Sequence, residues 1–599
     1  MKDFFKTVLA VIVGFLILNI LMSIVFMMMF GALAALGSSK TVLPREGVLD
    51  VNMADFRIGE QTNTENFDLT ALQSLSTDMT PTLGILDAVK AIETAAEDPS
   101  IKYLFLRTDK ASSGMSGLEE LRKALVAFRA SGKPVIAYTE GLSSGSYYLA
   151  SAADKVYLCA DNGAGGMLLG ISGRMMFIKD LLDKFGVNVQ LIRHGKYKSA
   201  GEMFIRNSPS DANMEQNQVM VSSIWHSFAS EIAASRGITE DAFNALIDGL
   251  TLVVPKDYKD AGLVDELFTR QQLIDKLCEL ASVSDEKDLH LVPMMDYVDA
   301  KIPAVLPTGK NLVAVIYAEG EIVDGDQNQN LAGDRFARII AKLRKDKNVK
   351  AVVLRVNSPG GSVLASDKIK KELDLLKEEK PLVASYGDYA ASGGYWISNG
   401  CAKIYSDATT LTGSIGVFSM VPDFSKTMKD VAHVNLTPVN SNKHSDMMTT
   451  MRPLDDAELA YMQASIEDIY STFVGIVAEG RGLTTEHVDS IAQGRVWTGA
   501  DAIGIGLVDE IGTLEDAVAH AASLAGYEAE KEYKVIGYPR PLTMMEQIME
   551  SFSGKKDDGL TAALKGTSFE ALGEAVRRFK ANDPAKAYAQ MPYDITIVK

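Results

Sequence analysis

The chain has 599 residues, of which 47% are hydrophobic and 23% charged. With 60 basic and 78 acidic residues its net charge is −18, which argues against nucleic acid as the main partner because phosphate binding needs clustered lysine and arginine. Its three cysteines, Cys159, Cys278 and Cys401, have no metal-ligand spacing and cannot all pair within the chain, so we interpret them as ordinary buried thiols.

An uncharged apolar stretch, residues 7–37, stands near the start of the chain. A transmembrane helix needs roughly 20 apolar residues, whereas the apolar core of a signal peptide has about 7 to 15. The stretch therefore predicts an uncleaved membrane anchor within residues 1–40 rather than a cleaved signal peptide. The lysines and arginines on its two sides are balanced in number, so charge alone does not determine the orientation.

The remainder of the chain contains one domain pattern twice. The motif YGDYAASGGYWIS around Ser392 resembles YTEGLSSGSYYLA around Ser144, at an offset of 392 − 144 = 248, and the same offset relates LRVNSPGG to LRTDKASS. Further along, RGLT at Arg481 matches RGIT at Arg236 at an offset of 481 − 236 = 245. We infer a duplicated domain in which one copy has small deletions.

Within each copy, short apolar runs alternate with amphipathic helical segments. The first copy reads KYLFLRT, SGLEELRKALVAFRASG and KPVIAYTE, and the second reads KAVVLRV, SDKIKKELDLLKEEK and PLVASYGD. Such alternation predicts an α/β fold with a mainly parallel sheet. We expect the copies at residues 41–285 and 311–535, a proline-containing linker at 286–310, and a C-terminal extension without visible chemistry at 536–599.

A serine between a predicted strand and a predicted helix is the candidate nucleophile. Ser392 follows a strand and precedes GGYWIS, so its hydroxyl would stand at a helix N-terminus, where free backbone N–H groups can stabilise an oxyanion. The segment NSPGG, residues 357–361, follows another strand, and its glycines let a substrate approach the backbone closely. The two motifs, one βα unit apart, are the arrangement expected of a split oxyanion hole.

The motifs SPGG, GDYAASGGYW, TGSIGVF, GKYKSAGEMF and VWTGADAIGIGLVDEIG resemble those of the long, duplicated form of the signal peptide peptidase A family, also called protease IV. The resemblance covers the chain from about residue 45 to residue 535, and also the anchor. It implies two tandem ClpP/crotonase-like domains, each a ββα superhelix, after an N-terminal transmembrane helix.

The resemblance also implies a role for five residues: Ser392 is the nucleophile, Lys198 the general base, Ser414 a hydroxyl that holds the lysine, and Gly361 and Gly393 the oxyanion donors. The first copy has the lysine but reads TDKASSG where the second has VNSPGG, so the simplest interpretation is one composite site built from both copies. To act as a base the lysine must be neutral, and its pKa must fall from about 10.4 towards about 7 or 8.

Other assignments stay open at this point. An offset of 443 − 198 = 245 places Lys198 opposite Lys443, which would complete a dyad inside the second copy. His194 and His444 lie close to these lysines in sequence, although neither stands in a recognisable triad motif. Ser144 lacks a glycine pair upstream, and we interpret it as a structural remnant.

The function that the resemblance implies is a membrane-anchored serine endopeptidase that degrades cleaved signal peptides through an acyl-enzyme. It further implies a homotetramer whose catalytic domains lie on the periplasmic (outer) face of the cytoplasmic membrane. The sequence contains no GxxxxGK[ST], HExxH or paired CxxC motif, so we expect no metal and no cofactor. Two alternatives remain, a crotonase-like acyl-CoA enzyme and a non-catalytic scaffold that binds membrane peptides.

Overall fold

The structure is a computed structural model, and it describes Gly14, Glu546 and residues 43–63, 80–302, 308–328, 330–542 and 570–591. Apart from Gly14, the predicted membrane anchor lies outside the described residues. Among the residues that are described, no helix is both long enough and apolar enough to cross a membrane.

The first half of the chain forms a six-stranded parallel sheet in the order β10-β7-β5-β4-β1-β11. The strands of this half of the chain, inside and outside that sheet, are β1 (Gly47–Asn52), β2 (Arg57–Gly59), β3 (Thr82–Gly84), β4 (Ile101–Arg107), β5 (Val135–Thr139), β6 (Gly141–Leu142), β7 (Lys155–Cys159), β8 (Gly165–Gly166), β9 (Asn188–His194), β10 (Glu266–Phe268) and β11 (Leu291–Pro293). Its helices are α1 (Ile85–Glu97), α2 (Met115–Ala130), α3 (Ser144–Ala150), α4 (Lys179–Lys184), α5 (Glu202–Ile205), α6 (Asp211–Arg236), α7 (Glu240–Asp248), α8 (Pro255–Asp260), α9 (Arg270–Ala281), the 3₁₀ turn Glu286–Asp288 and α10 (Met294–Lys301).

The second half forms an eight-stranded, mainly parallel sheet with the path β21-β19-β17-β15-β12-β23, to which β18 and β22 are attached beside β17. Its strands, with those of the C-terminal extension, are β12 (Leu312–Glu319), β13 (Ile322–Val323), β14 (Leu331–Ala332), β15 (Val349–Ser358), β16 (Gly360–Ser362), β17 (Leu382–Ala391), β18 (Ile404–Ser406), β19 (Leu411–Gly413), β20 (Val417–Asp423), β21 (Val496–Thr498), β22 (Glu510–Ile511), β23 (Lys534–Tyr538) and β24 (Tyr588–Gln590). The helices are α11 (Gly333–Lys345), α12 (Val363–Lys377), α13 (Gly393–Ser398), the π-helix Thr427–Val431, α14 (Asp456–Arg481), α15 (Thr485–Ile491), α16 (Gly499–Gly504), α17 (Leu514–Leu524), the 3₁₀ turn Glu530–Glu532 and α18 (Glu570–Ala581).

The two sheets repeat one topology. The order β10-β7-β5-β4-β1-β11 in the first corresponds to β22-β18-β17-β15-β12-β23 in the second. Strands β4 and β15 begin 349 − 101 = 248 residues apart, and helices α6 and α14 begin 456 − 211 = 245 residues apart. The structure thus carries the same two offsets as the sequence motifs. Inside the segment that we expected to be a linker, β11 occupies the edge position that β23 occupies in the second sheet.

The sheets are buried between helices, as their sequences predict. Strand β12 reads LVAVIYAE and is buried at every position except its last, which is the composition of a parallel strand that is covered on both faces. One hydrophobic cluster contains Leu49 of the first sheet, Val315 of the second and Leu514 of α17. The two halves therefore share a continuous core, and the mixed α/β fold predicted from the sequence is confirmed.

A third, mixed sheet joins three parts of the chain. Its order is β14-β13-β16-β24-β20-β9, in which β9 belongs to the first half and β24 to the C-terminal extension. Strand β9 pairs antiparallel with β20 along the whole of both strands, and β24 lies antiparallel between β16 and β20. This sheet brings residues of both halves to one place.

A buried group of charges also crosses the boundary between the halves. Arg355, on β15, is 1% exposed, and its Nε donates to Glu60 Oε2 at 2.7 Å while its Nη2 lies 2.8 Å from Glu120 Oε1. Its Nη1 donates to the hydroxyl of Ser385 and to the carbonyl oxygen of Tyr386. Both glutamates come from the first half. Because an unpaired buried charge is costly, these contacts define how the two halves meet.

Candidate active site

The pairing of β9 with β20 determines which side chains meet. Its antiparallel register places His194 opposite Val417. In such a pair the chain that leaves one strand lies beside the chain that enters the other. Lys198 follows the end of β9 by 198 − 194 = 4 residues, and Ser414 precedes β20 by 417 − 414 = 3 residues. The two residues are therefore brought together although they come from different copies.

Lys198 lies between two serines in a closed site. Its Nζ is 2.8 Å from Ser392 Oγ, 3.0 Å from the carbonyl oxygen of Ser414 and 3.0 Å from Ser414 Oγ. All three side chains are 0% exposed. The structure thus brings together three of the residues that sequence analysis selected.

The three oxygen partners suit a neutral amine as well as an ammonium. A neutral amine has two N–H donors and one lone pair, whereas an ammonium has three donors. The carbonyl oxygen of Ser414 can only accept, so it takes one N–H, and the hydroxyl oxygen of Ser414 takes the second. The Ser392 hydroxyl can then donate its proton to the lone pair. After the transfer, all three oxygens accept from the ammonium without rearrangement.

Burial lowers the pKa of Lys198 well below its ordinary value of 10.5, because the charged form loses its hydration. A positive neighbour can also lower the pKa of a lysine, and Lys196 lies two residues away. In the structure the Lys196 amine lies over the ring of Tyr197, 4.7 Å from its centroid, and the cause of the shift is burial. An enclosed, neutral amine beside a serine hydroxyl is the state that a general base requires.

The backbone of Ser392 is held in an uncommon conformation. Its φ is +55° and its ψ −110°, a region that side-chain-bearing residues rarely adopt. Its N–H donates to the carbonyl oxygen of Gly413 at 2.8 Å, and the N–H of Trp396 donates to the carbonyl oxygen of Ser392 at 2.8 Å. These bonds hold the turn from β17 into α13 so that the hydroxyl reaches Lys198.

The predicted oxyanion glycines lie on two neighbouring pieces of backbone. Gly393 begins α13 directly after Ser392, where the first N–H groups have no partner inside the helix. Gly361 lies on β16, and a Cβ atom built on it would stand 2.0 Å from the carbonyl oxygen of Ile322. A Cβ atom built on Gly360, whose φ is +94°, would stand 2.6 Å from the nitrogen of Gly393. Only glycine permits this approach of the two loops.

The alternative residues lie elsewhere. Lys443 is exposed on the segment after the π-helix. His194 and His444 each pair with a glutamate, and the hydroxyl of Ser144 donates to the carbonyl oxygen of Gly170 at 3.1 Å. The structure describes all four residues, and none of them is bonded to the Ser392 hydroxyl.

Across the described ranges, one group of side chains could hold a metal ion: His444, Asp455 and Glu458. Arg452 donates to both carboxylate oxygens of Glu458, at 2.7 and 2.8 Å. The guanidinium therefore already supplies the positive charge at this cluster, which lies apart from Ser392.

One strand beside the site, β24, was not expected from the sequence. The C-terminal extension shows no chemistry in its sequence, yet β24 pairs with β16 so that Ala589 stands opposite Gly361. The strand consists of only three residues, YAQ, after a polar stretch, which is too short a pattern for a sequence-based strand prediction.

Comparison with known proteins identifies relatives along most of the chain. A family model described as peptidase family S49 matches residues 127–284 and 374–528. The chain is 36% identical to Protease 4 of Haemophilus influenzae over 510 residues, which cover 82% of this chain and 80% of that protein. It is 37% identical to Protease 4 of Salmonella typhi over 524 residues, 84% of this chain and 83% of the relative. A putative signal peptide peptidase SppA of Enterococcus faecium is 38% identical over 184 residues, 31% of this chain and 53% of its own length.

The lowered pKa of Lys198 predicts a pH dependence. If neutral Lys198 removes the proton of Ser392, peptide hydrolysis increases as the pH rises through the pKa of Lys198 and then levels off. Because burial lowers that pKa, we expect the midpoint of the rise well below 10.5. The measurement is kcat/KM of a peptide substrate against pH, with Ser392→Ala as the blank. A rise centred near the ordinary pKa of lysine would contradict the assignment.

Proposed function

This chain belongs to peptidase family S49 and is a serine-type peptidase, and we propose that it hydrolyses peptide bonds with Ser392 as nucleophile and Lys198 as general base. The observation that carries the proposal is the 2.8 Å contact between Lys198 Nζ and Ser392 Oγ, with both side chains fully buried. We also propose that each copy has the ClpP/crotonase-like fold, which the repeated order of six parallel strands supports.

In the proposed reaction, Ser392 Oγ attacks the carbonyl carbon of the scissile peptide while its proton passes to Lys198 Nζ. The backbone N–H groups of Gly361 and Gly393 donate to the oxyanion that forms. The Lys198 ammonium then gives its proton to the leaving nitrogen, and the C–N bond breaks to leave an ester on Ser392. A water molecule, deprotonated by Lys198, hydrolyses that ester and restores both residues. Ser414 keeps the amine in place through both proton transfers.

Single substitutions at the two lysines test the assignment of the base. We expect Lys198→Ala and Ser392→Ala each to lower kcat by at least about 10³-fold, because general-base catalysis alone contributes about 10² to 10⁴ and the nucleophile more. Lys443→Ala is the matched control, since this lysine is the sequence equivalent of Lys198 but is exposed, and it should keep near-normal activity. The measurement is hydrolysis of a synthetic signal peptide by each purified variant.

Activity retained in Lys198→Ala would contradict the proposal that the first copy supplies the base. Loss of activity in Lys443→Ala with a normal fold would instead point to a dyad within the second copy. Circular dichroism of each variant separates a lost base from a lost fold.

We propose cleaved signal peptides in the membrane as substrates, and an uncleaved N-terminal helix that anchors the catalytic domains on the periplasmic face of the cytoplasmic membrane. The similarity to the Enterococcus faecium relative, a putative signal peptide peptidase SppA, supports the substrate class. The uncharged apolar residues 7–37 support the anchor.

The anchor predicts a change in membrane association after a short deletion. In flotation with inner-membrane vesicles, the full chain should rise with the lipid, whereas a chain that lacks residues 1–40 should stay at the bottom and still hydrolyse a soluble peptide. Protease digestion of intact spheroplasts should degrade the catalytic domains of the full chain from outside. A truncated chain that still floats, or domains that are protected in spheroplasts, would contradict the proposal.

We also propose a closed, head-to-tail homotetramer. It is supported by a segment of the second copy that corresponds to β9 in sequence but does not form a strand. Val434 and Leu436 stand 245 residues after Val189 and Leu191 of β9 (434 − 189 and 436 − 191), but they are 41% and 53% exposed on an irregular segment. The first copy has a segment in the position of β20: residues 167–178 stand between β8 and α4, just as β20 stands between β19 and the π-helix. Met167 in this segment is exposed. Pairing of the first of these segments with the second on a neighbouring chain would repeat the β9–β20 contact.

A charge placed in this exposed segment should break the assembly. We expect Leu436→Asp to reduce the molar mass in light scattering from that of a tetramer to that of a single chain, because the carboxylate would be buried in the interface. Leu375→Asp, at an exposed leucine on α12, is the matched control and should remain tetrameric. A wild-type chain that is monomeric, or an unchanged mass for Leu436→Asp, would overturn the proposed contact.

A further inference from the structure

The loop that carries Lys198 lies against a turn of the second half. The N–H of Tyr197 donates to the carbonyl oxygen of Gln493 at 2.9 Å. A Cβ atom built on Gly494 would stand 2.6 Å from the backbone nitrogen of Lys198. The position of the lysine therefore depends on how firmly its loop is held against this turn.

One buried side chain bridges the loop and the chain that follows the turn. Gln216, on α6, donates from its Nε2 to the carbonyl oxygen of Tyr197 at 3.0 Å and to the hydroxyl oxygen of Ser199 at 3.1 Å. Its Oε1 accepts from the N–H of Val496 at 3.3 Å. The amide thus holds the residues on both sides of Lys198 to the first residue of β21.

The backbone fixes the direction in which this amide points. A carbonyl oxygen can only accept and a backbone N–H can only donate, so the Gln216 amide nitrogen faces Tyr197 and its oxygen faces Val496. Both N–H groups and the oxygen of the amide are then used. An apolar side chain of the same length would lose all three bonds.

The far end of the bridge is attached to the nucleophile. Val496 is the strand partner of Gly413, whose carbonyl oxygen accepts from the N–H of Ser392 at 2.8 Å. Directly before Val496, the carbonyl oxygen of Arg495 accepts from the N–H of Ser414 at 2.7 Å. One run of backbone thus supports both the turn that presents the nucleophile and the serine that holds the lysine amine.

The corresponding helix of the second copy has a different residue at this position. Helices α6 and α14 are related by an offset of 245 residues, which places Tyr461 opposite Gln216 (461 − 216 = 245). Tyr461 is exposed, whereas Gln216 is buried. The buried amide therefore occurs in the copy whose lysine contacts Ser392, and an exposed phenol replaces it in the copy that carries Lys443.

We propose that Gln216 is a positioning residue for the pair of Ser392 and Lys198. The inference rests on the proposed function. Lys198 must stay within hydrogen-bond distance of Ser392 Oγ to remove its proton, and it must stay unhydrated to be neutral. Gln216 bonds to the residues beside Lys198 rather than to its amine, so it acts through the distance and the enclosure of that amine.

Gln216→Met in the full chain tests the inference, because methionine fills a similar space without an N–H donor. We expect kcat for a synthetic signal peptide to fall about 10- to 100-fold, since a displacement of about 1 Å at a reacting group costs about 10² in rate. The midpoint of kcat/KM against pH should move up towards the ordinary pKa of lysine, because a looser loop admits water to the amine.

Gln218→Met is the matched control, since Gln218 is exposed on the same helix and bonds to Ser222 of that helix. It should keep the wild-type kcat and midpoint. If circular dichroism shows that Gln216→Met does not fold, Gln216→Glu replaces it. An ionised carboxylate keeps the acceptor for Val496 but has no donor for Tyr197, so the plateau of kcat at high pH should again fall.

A folded Gln216→Met or Gln216→Glu chain with the wild-type kcat overturns the inference. So does a Gln216→Met chain with a low kcat and an unchanged midpoint, because a purely structural defect reduces the amount of active protein without altering the pKa of the base. Failure of both variants to fold, or a Gln218→Met chain with the same loss, equally overturns it. A wild-type chain without activity, or an active Lys198→Ala chain, overturns the proposed function, and the inference with it.

Discussion

The Lys198 amine is buried between the two halves of the chain, and its contact with Ser392 joins them at one site. An amine without hydration loses much of its preference for the charged form, and burial accordingly lowers the pKa of Lys198. The enclosure is tight, because a Cβ atom built on Gly494 would stand 2.5 Å from Lys198 Cβ and one built on Gly416 would stand 3.1 Å from Lys198 Cδ. Both glycines come from the second half. Separation of the halves would therefore hydrate the amine, return its pKa towards the ordinary value and leave it protonated at neutral pH.

Duplication has been followed by a division of tasks between the copies. Arg107 and Arg355 occupy equivalent positions, 355 − 107 = 248 residues apart, and both pair with carboxylates. Arg107 binds Asp50 within its own half, whereas Arg355 binds Glu60 of the other half. The two equivalent serines differ in the same way. Ser144 donates to a carbonyl oxygen of its own copy, whereas Ser392 contacts Lys198 of the other copy. The Lys198–Ser392 contact therefore needs residues of both halves.

The repeat, the parallel sheets and the position of Ser392 could be predicted because each depends on a local pattern. Apolar runs at a fixed offset specify equivalent strands, and a serine followed by two glycines after such a run specifies a strand-to-helix turn. The choice between Lys198 and Lys443 could not be made from the alignment, because both occupy the same repeat position. The two lysines differ in whether the preceding strand finds a partner: β9 pairs with β20 and brings Lys198 to Ser392, whereas the segment before Lys443 stays exposed. The pairing of β24 could not be predicted from the sequence either, since a strand of three residues carries no periodic signal.

A site whose nucleophile is fully buried can accept a substrate only if some element moves. Strand β9 pairs with β20 along its whole length, from Asn188 to His194, so its departure would break many hydrogen bonds and expose Lys198. Strand β24 has three residues, and the N–H of Met591 directly after it donates to the carbonyl oxygen of Pro359. It is therefore a shorter element with fewer ladder bonds than β9, and elements of low local stability open first. Its departure leaves the Lys198–Ser392 contact intact and vacates an edge of β16 that has the length and direction to bind another extended peptide.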